Sequence, residues 1–395
     1  MAVILLDAEA LRADYLSRAL SSVRTDRRAL HRIPEIGRSE FLTHKYLWDA
    51  LEQLRPDALS PIADTGIRCV FMGRADIQGA RRRTIALRSD IDALNVSETT
   101  GLDFCSGRPG FMHACGHDGH MATMLAAARF CAENRERLRD NVVIFFQPDE
   151  EGDGGAERII AAGGMKNPDV DEVYGMHLMP ALQSGTIACP DGPLMASTCE
   201  LDITVEGVAS HGAMPHLGHD ALAAAVALYN LFQTVFTRQT DPFEQKVLTI
   251  GAMRAGERRN VVADRAVMQA TLRTYDERVE AECIELMRAH ARAIETAYGV
   301  KCRIDKLSSY LPVINDPYAA GRVRAVAGDM CVDMHPLTIA EDFSFYQRQA
   351  PGAFFFCGIA QGDKFSSPLH ASDFNFDEES LLNGLKVFIG LIDLI

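Results

Sequence analysis

Short apolar segments that end in titratable residues constrain the fold of this chain most strongly. Segments 84–88, 141–147 and 173–177 each have the length and composition of a buried strand, and acidic or histidine side chains stand at or just after each end. Open α/β sheets bind ligands outside the carboxyl ends of their strands. One polar residue at a strand end is commonly a simple turn former, whereas several in one chain favour an α/β fold with a site at one edge of a sheet.

The rest of the pattern predicts helices around this sheet and a second domain. Helices are predicted at 39–54, capped by Ser39, and at 118–133. After about residue 193 the pattern changes to strands at 200–207, 246–254 and 267–275 and helices at 220–238 and 277–298. A length of 395 residues also favours two domains. We therefore predict a catalytic, metal-binding domain over 1–192 and 306–395 and an inserted, smaller α+β domain over 193–305.

Composition excludes several classes of protein. A net charge of −14 argues against nucleic-acid binding, which needs a basic face. No run of 18 apolar residues is present, so we expect no membrane span. Ten scattered cysteines without CxxC pairs favour reduced thiols, and the N-terminal residues lack the pattern of a signal peptide. We therefore expect a cytoplasmic protein that acts on a small molecule.

The most informative local motif is Cys115-Gly116-His117, flanked by His113 and His120. A thiolate and an imidazole two residues apart can reach one metal ion, or two adjacent ions, from a tight glycine turn. The run lacks the ligand spacing of a structural zinc site. Taken alone, it fits a metal loop and a histidine-rich turn before a helix about equally well.

Further candidates follow the predicted strands. Glu150 and Glu151 are adjacent carboxylates, one of which can ligate a metal while the other acts as a general base, although such a pair is more often a solvated loop. His177 and His370 are lone histidines, more often structural than ligating. The pair Asp90 and Asp92 can ligate metal or orient ligand imidazoles.

In this order the motifs resemble the M20 family of metallopeptidases and amidohydrolases, and most of all the branch of N-acyl-amino-acid amidohydrolases, hippurate hydrolases and auxin-conjugate hydrolases. The resemblance extends from about residue 28 to the C-terminus. The segments that carry it are 87–94, 112–120, 147–152, 175–177, 210–216, 260–264, 341–343 and 370–374.

The resemblance implies a metallopeptidase-like domain with a central mixed sheet, an inserted lid and dimerisation domain, and a homodimer or homotetramer. It implies two divalent ions per subunit, Mn²⁺ or Zn²⁺, with Co²⁺ or Ni²⁺ as alternatives. The resemblance implies that the metal ligands are Cys115, His117, Glu151, His177 and His370. It implies that Glu150 is the general base and that His211 donates to the oxyanion in a neighbouring subunit. Asp90 and Asp92 would orient the ligands, and Asn260 and Arg273 would contact the substrate.

Four positions depart from the family pattern without removing an implied ligand or the base. Asn95 and Ala263 replace common prolines, and Ala340 stands in a segment where Gly or Ser is usual. Asp149 replaces the more common small residue before the glutamate pair. We expect Asp149 and Ala340 to alter the shape and polarity of the pocket.

The activity implied is hydrolysis of the amide bond of carboxylate-bearing N-acyl amino acids or related conjugates by metal-activated water. A dipeptidase or aminoacylase of the same family is the nearest alternative. A metal-free amidase with Cys115 as nucleophile is a second class, which chelator treatment would separate. A catalytically silent binding protein is a third class, which the intact ligand set and base disfavour.

Overall fold

The structure is a computed structural model that describes residues 2–362, 365 and 367–395. Its helices are α1 Ala2–His31, α2 Phe41–Glu52, α3 His117–Glu133, α4 Ala156–Ala161, α5 Ala221–Arg238, α6 Glu277–Tyr298, α7 Pro317–Ala327, α8 Ser344–Gln347 and α9 Leu381–Leu391. Its strands are β1 Ala58–Ile62, β2 Gly66–Phe71, β3 Thr84–Asp90, β4 Asn141–Gln147, β5 Glu172–Gln183, β6 Ile187–Ala188, β7 Gly192–Met195, β8 Thr198–Glu206, β9 Lys246–Ala255, β10 Arg265–Thr274, β11 Lys301–Tyr310, β12 Val313–Asn315 and β13 Gly352–Ala360.

The chain divides into two compact units. The first contains residues 1–194, 314–335 and 345–395, and the second contains 195–313 and 336–344. The predicted boundary at residue 305 falls inside β11. This strand pairs with β8 of the second unit from Lys301 to Tyr310, so it belongs to the second unit. The sequence pattern around 305 could not reveal this pairing, since an edge strand and a domain linker carry similar polar residues.

A mixed sheet forms the centre of the first unit, as predicted. Within the described residues it has seven strands in the order β1-β2-β4-β3-β5-β13-β6. The β4–β3, β3–β5 and β5–β13 pairs are parallel. Every residue of β2, β3 and β4 is buried, which explains why these segments are continuous apolar runs rather than alternating ones.

Parallel pairing positions the candidate site. Asp90 at the end of β3 lies opposite Gln147 at the end of β4, so the two acidic segments that follow leave the sheet at the same edge. β5 lies on the other side of β3 and carries His177. α3, α1 and α9 pack against one another beside the sheet, and α3 begins at His117.

Two local predictions are wrong in detail. Ser39 does not cap α2. Instead the carboxylate of Glu35 accepts hydrogen bonds from the backbone N–H groups of Leu42 and Thr43, at 2.8 and 3.0 Å. The strand predicted at 173–177 does not end there but continues as β5 to Gln183, because Pro180 lies near an irregularity in the β5–β13 pairing, where a missing N–H is tolerated.

The second unit contains an antiparallel sheet, described with four strands in the order β11-β8-β10-β9. Burial alternates along β10, and its buried side chains pack beneath α5 and α6. Asp220 and Asp276 cap these helices by accepting backbone N–H groups of the first turn. No helix in the described part of the chain is long and apolar enough to cross a membrane.

Candidate metal centre

A glycine turn at the start of α3 sets the geometry of the centre. Gly116 has φ +87°, a left-handed conformation that favours glycine, and it separates Cys115 from His117. A β-carbon at this position would lie 3.1 Å from Leu178 Cδ1. The turn therefore places a thiol and an imidazole on the same side of the helix start, as the motif predicts.

Cys115 lies at the middle of the cluster. Its Sγ is 3.3 Å from Nε2 of His177 and 3.3 Å from Nε2 of His370. The backbone N–H of His370 donates to the carbonyl of Ala114 at 2.9 Å, which ties this distant segment to the cysteine run. The fold thus brings together residues that are 255 positions apart in sequence.

Carboxylates complete the cluster. Oε1 of Glu151 lies 3.2 Å from Nε2 of His370 and 3.9 Å from Nε2 of His117. Ligand atoms of His117, Glu150 and Glu151 lie within 4.8 Å of one another, as do those of Cys115, His117 and His177. All five predicted ligands and the predicted base are therefore in one place.

Polar atoms without partners test whether this donor set fits metal ions. Nε2 of His117 is buried and has no hydrogen-bond partner among the described residues, and Oε1 of Glu151, also buried, lies against the ring nitrogens of His370 and His117. Buried polar atoms are nearly always paired, so an unpaired atom that points into the cluster indicates a missing partner. Thiolate, imidazole and carboxylate are ligands that zinc and related ions accept. The residues fit divalent metals.

The electrostatics of the cluster favour added positive charge. Burial lowers the pKa of the His117 imidazole, but Asp90, Asp92 and Glu151 outweigh it and raise that pKa to about 10. The pKa of Glu151 is lowered to about 2, because the hydrogen bond to His370 and the nearby histidines outweigh its burial. Burial, with the neighbouring His120 and His117, lowers the pKa of His177 to about 3, so this imidazole is neutral and can ligate.

The thiol of Cys115 does not have the properties of an activated nucleophile. Burial, and then the negative charges of Glu151 and Glu150, hold its pKa well above the usual value. Reactive cysteines have a lowered pKa from nearby positive charge. The thiol needs a bound cation to ionise, so the metal-free cysteine amidase is disfavoured.

Asp90 and Asp92 contact the histidines from behind the cluster. The Nδ1 of His117 donates to the backbone carbonyl of Asp92 at 2.9 Å, and Oδ1 of the same aspartate is 3.4 Å away. Oδ2 of Asp92 accepts the backbone N–H of Glu151 at 2.9 Å. Asp92 therefore contacts two of the predicted ligands, through its backbone and its side chain.

Two residues around Asp90 had no role assigned to them from the sequence. Arg88 Nη1 donates to Oδ2 of Asp90 at 2.8 Å, and His120 Nδ1 donates to its Oδ1 at 2.7 Å. The other ring nitrogen of His120 accepts the backbone N–H of Leu178 at 3.0 Å, so the ring is fully engaged. Arg88 had a usable signal, because residues two apart on a strand face the same way.

His211 and Asn260 lie together in the second unit. The N–H of Gly212 donates to the carbonyl of Asn260 at 2.8 Å, and His211 forms a β-bridge with Val261. Nδ1 of His211 accepts the N–H of Ala213 at 3.1 Å, so in the neutral ring Nε2 carries the proton. His211 is thus prepared to donate a hydrogen bond through Nε2.

Arg273 is at the other end of the same sheet. It lies one residue before the end of β10, whereas Asn260 precedes the start of that strand, so the second unit does not bring these residues together. Arg273 lines a pocket of about 700 Å³ with Phe236, Val247 and Tyr275. Within the described residues its guanidinium has neither a hydrogen-bond acceptor nor an ion-pair partner.

Comparison with known proteins gives a family match. The model described as "Peptidase family M20/M25/M40" matches residues 86–394. A curated relative from Exiguobacterium sibiricum, N-acetyldiaminopimelate deacetylase, is 37% identical over 357 residues, covering 90% of this chain and 94% of the relative. The N-acetyl-L-cysteine deacetylase of Bacillus subtilis is 36% identical, covering 90% and 84%.

Solved structures share the fold across nearly the whole chain. A protein from methicillin-resistant Staphylococcus aureus aligns with a TM-score of 0.90 at 30% identity, covering 97% of this chain and 98% of that one. The Bacillus subtilis YXEP protein, described as a dinuclear metal binding peptidase from the M20 family, aligns with a TM-score of 0.83 at 30% identity, covering 95% and 98%.

Proposed function

The chain belongs to peptidase family M20/M25/M40, and from that membership we propose that it deacylates small N-acyl amino acids that carry a free carboxylate. Its curated relatives are named as deacetylases, which hydrolyse an amide C–N bond, and a solved structure at 30% identity is described as a dinuclear metal binding peptidase. Two of them are named as deacetylases of an N-acetyl amino acid, which supports an acetyl or similarly small acyl group here. The observation that carries the proposal is the cluster of Cys115, His117, Glu151, His177 and His370 beside Glu150.

These five side chains would hold two divalent ions. One thiolate and three imidazoles favour Zn²⁺ by ligand softness, while the resemblance to the family adds Mn²⁺, with Co²⁺ and Ni²⁺ as alternatives. Bound ions of this kind polarise a substrate carbonyl and lower the pKa of water. Asp92 keeps the His117 ring oriented through its backbone carbonyl, and Asp90 is kept in place by Arg88 and His120.

Glu150 is the proposed proton carrier. It accepts a proton from the attacking water and delivers it to the departing amine, which balances the reaction without consuming a base. Its ligand atoms are within 4.8 Å of those of His117 and Glu151, close enough to share a water molecule. The preceding and following residues are both fixed by hydrogen bonds, which keeps Glu150 in place.

Replacing Glu150 tests this function. Glu150→Gln removes the base and keeps the shape of the side chain, so kcat should fall by roughly 10²- to 10⁴-fold on N-acetyl amino acids, while the metal content measured by elemental analysis stays the same. Glu157→Gln, an exposed acid on α4, is the matched control and should keep full activity. A metal-replete Glu150→Gln enzyme with normal turnover would contradict the assignment.

His211 and Asn260 are proposed to act on substrate in a second copy of the chain. Nε2 of His211 donates to the oxyanion that forms when the carbonyl is attacked. Mixing inactive His211→Ala subunits with inactive Glu150→Gln subunits should restore part of the activity if sites are shared between subunits. No restoration would mean that each subunit is self-contained.

The outer surface of the second unit supports a homodimer, with a homotetramer as the larger alternative. α5 has a single charged residue, Arg238, among 18, and Leu222, Val226 and Tyr229 on its outer side are each about 40% exposed. In the described part of the sheet, β9 has no strand on its outer side. An apolar ridge beside an open strand edge is typical of a subunit interface.

Arg273 is proposed to bind the substrate carboxylate. A half-buried guanidinium in a pocket lined by both apolar and polar side chains, Lys246 among them, suits an amphipathic anion, which arginine binds with two parallel hydrogen bonds. Replacing it with lysine keeps the charge but not the two-pronged geometry. KM for N-acyl amino acids should rise in Arg273→Lys more than it does for the matching amino-acid amides.

A reducing, cytoplasmic location is part of the proposal. The ten cysteines are free thiols, and seven of them are buried. A chain that depends on an unoxidised Cys115 for metal binding fits a compartment that keeps thiols reduced.

A further inference from the structure

The loop between β4 and α4, residues 148–155, carries an unusual backbone conformation one residue before Glu150. Asp149 has φ +60°, in the left-handed region. Residues other than glycine are uncommon there, and Asp and Asn are among the few that tolerate it. Such a conformation persists only where the surrounding structure determines it, so the contacts of Asp149 decide what it does.

Two arginines hold the carboxylate of Asp149. Its Oδ2 accepts from Nε of Arg38 at 3.2 Å and from Nη2 of Arg158 at 2.8 Å. The residue is 5% exposed, so the charge is largely removed from water and depends on these partners. Arg158 also donates to the backbone carbonyl of Gly154 at 3.2 Å, which ties the far end of the loop to the same guanidinium.

Two glycines make room for this arrangement. A β-carbon on Gly37 would lie 1.9 Å from Oδ1 of Asp149, and one on Gly152 would lie 2.2 Å from the same atom. Neither contact is possible for a residue with a side chain unless the carboxylate moves. The carboxylate of Asp149 therefore lies between the segment before α2, which contains Gly37, and the loop 148–155, which contains Gly152.

Backbone hydrogen bonds fix the two neighbours of Glu150. The N–H of Asp149 donates to Oε1 of Glu40 at 3.0 Å, and the N–H of Gly154 donates to the carbonyl of Asp149 at 3.1 Å. On the other side, the N–H of Glu151 donates to Oδ2 of Asp92 at 2.9 Å. Glu150 lies between two immobilised residues, one of which is fixed through Asp149.

We infer that Asp149 is a positioning residue, whose ion pairs with Arg38 and Arg158 set the left-handed turn that presents Glu150 to the centre. The inference rests on the proposed role of Glu150. Arg38, Arg158, Gly37 and Gly152 together accommodate the buried carboxylate of Asp149. A small side chain at this position could not anchor the loop in this way.

Asp149→Gly separates the clamp from the backbone conformation, because glycine adopts the same turn without strain but makes neither ion pair. We expect kcat to fall on the order of 10- to 100-fold, the effect of small displacements of a catalytic group, with KM changed less than threefold and the metal content unchanged. Asp149→Asn keeps the conformation and an acceptor for the arginines, so it should recover most of the turnover.

Arg158 provides a second variant, and its ion pair with Asp64 provides the control. Its other carboxylate partner, the exposed Asp64, is 2.8 Å away, and Asp64→Asn should leave kcat unchanged. Arg158→Gln should lower kcat, and the double variant Asp149→Gly, Arg158→Gln should be no worse than the poorer single variant because both remove the same clamp. If Asp149→Gly does not fold, Arg158→Gln alone carries the test.

Two results would overturn the inference. One is normal kcat in Asp149→Gly or in Arg158→Gln. The other is a fall in kcat that only accompanies loss of metal, which would indicate damage to the whole centre. Because Glu150→Gln tests the base separately, an inactive Glu150→Gln enzyme beside a fully active Asp149→Gly enzyme rejects the clamp and keeps the proposed function.

Discussion

Asp90 illustrates how single residues around the centre are determined by their charge partners. It is completely buried between Arg88 and His120, and the histidines and arginine around it hold its pKa well below the usual value in spite of that burial. A buried ion pair contributes little net stability compared with apolar residues, but removing one partner leaves an uncompensated charge. The pair therefore serves the geometry of the centre more than the stability of the sheet.

Glu40 gives a residue-scale prediction about pH. It is buried, and this burial outweighs its hydrogen bonds with Thr65 and the N–H of Asp149 and raises its pKa from 4.5 to about 7. The folded state thus holds the proton more tightly than the unfolded chain does. The resulting stabilisation, up to about 3 kcal/mol, is fully present below pH 4.5 and is lost as pH rises through 7.

Urea unfolding at pH 5 and pH 8 measures this contribution. The wild-type protein should lose more free energy of unfolding between these two pH values than Glu40→Gln, which cannot titrate at this position. Glu52→Gln, at an exposed position at the end of α2, should lose as much as wild type. Equal losses in wild type and Glu40→Gln would show that Glu40 does not titrate in this range.

Individual residues of the centre differ in how visible they are in sequence. Cys115, His117, Glu150 and Glu151 stand in compact runs, because a turn places neighbours in sequence around one point. The partners of Asp149 could not be found in this way, since Arg38 lies 111 residues from it and only the packing of separate segments brings them together. The same holds for Glu35, which caps α2 from outside the helix.

At the scale of elements, the short connection from β4 to α4 leads to a prediction about packing. A β-carbon on Gly155 would lie 1.8 Å from the carbonyl oxygen of Pro148, a backbone atom that cannot turn aside. Gly155→Ala should therefore lower the free energy of unfolding by about 1–3 kcal/mol. It should also lower kcat, because the loop that carries Glu150 has to shift.

A second glycine serves as the control. Gly321 lies inside α7, where the nearest heavy atom to an added β-carbon is 3.9 Å away. Gly321→Ala should stabilise the protein by about 0.5–1 kcal/mol, the usual gain from alanine in a helix. Chemical unfolding and steady-state kinetics of both variants check the prediction, and a Gly155→Ala enzyme as stable and active as wild type would contradict it.

Helices and strands could be predicted from the sequence where a single local pattern, such as an apolar run or an amphipathic repeat, determined them. β4 and α6 are found at the predicted residues, because a run of apolar β-formers and a long amphipathic pattern with an aspartate cap leave little choice. β5 was predicted too short, since proline usually ends a strand, and only pairing with β13 shows that this one can remain within it. Local sequence does not contain that information.

At the scale of the whole molecule, the centre should make stability depend on metal. Without cations, Asp90, Asp92 and Glu151 are kept close together in a buried site with unpaired polar atoms. Metal that binds only the folded state adds about 2.7 kcal/mol at a concentration 100 times its Kd. Chelator treatment should therefore abolish activity and lower the Tm, and adding Mn²⁺ or Zn²⁺ should restore both.

His177→Ala tests whether the centre is the source of this effect. The variant loses one neutral imidazole next to Cys115, so most of the metal-dependent rise in Tm should disappear. His290→Ala, at a half-buried histidine on α6 far in sequence from the centre, should keep the full rise. A Tm that ignores metal in the wild-type protein would mean that the centre does not bind it.

The pairing of β5 with β13 has a consequence for how the protein is made. The two strands lie side by side, yet 168 residues (184–351) separate them in sequence, and this interval contains both segments of the second unit. On a ribosome that adds about 5–20 residues per second, roughly ten to thirty seconds pass between their syntheses. Throughout that interval the backbone N–H and C=O groups on one edge of β5 have no partner strand, so this stage of biosynthesis exposes the nascent chain to edge-to-edge pairing with other strands.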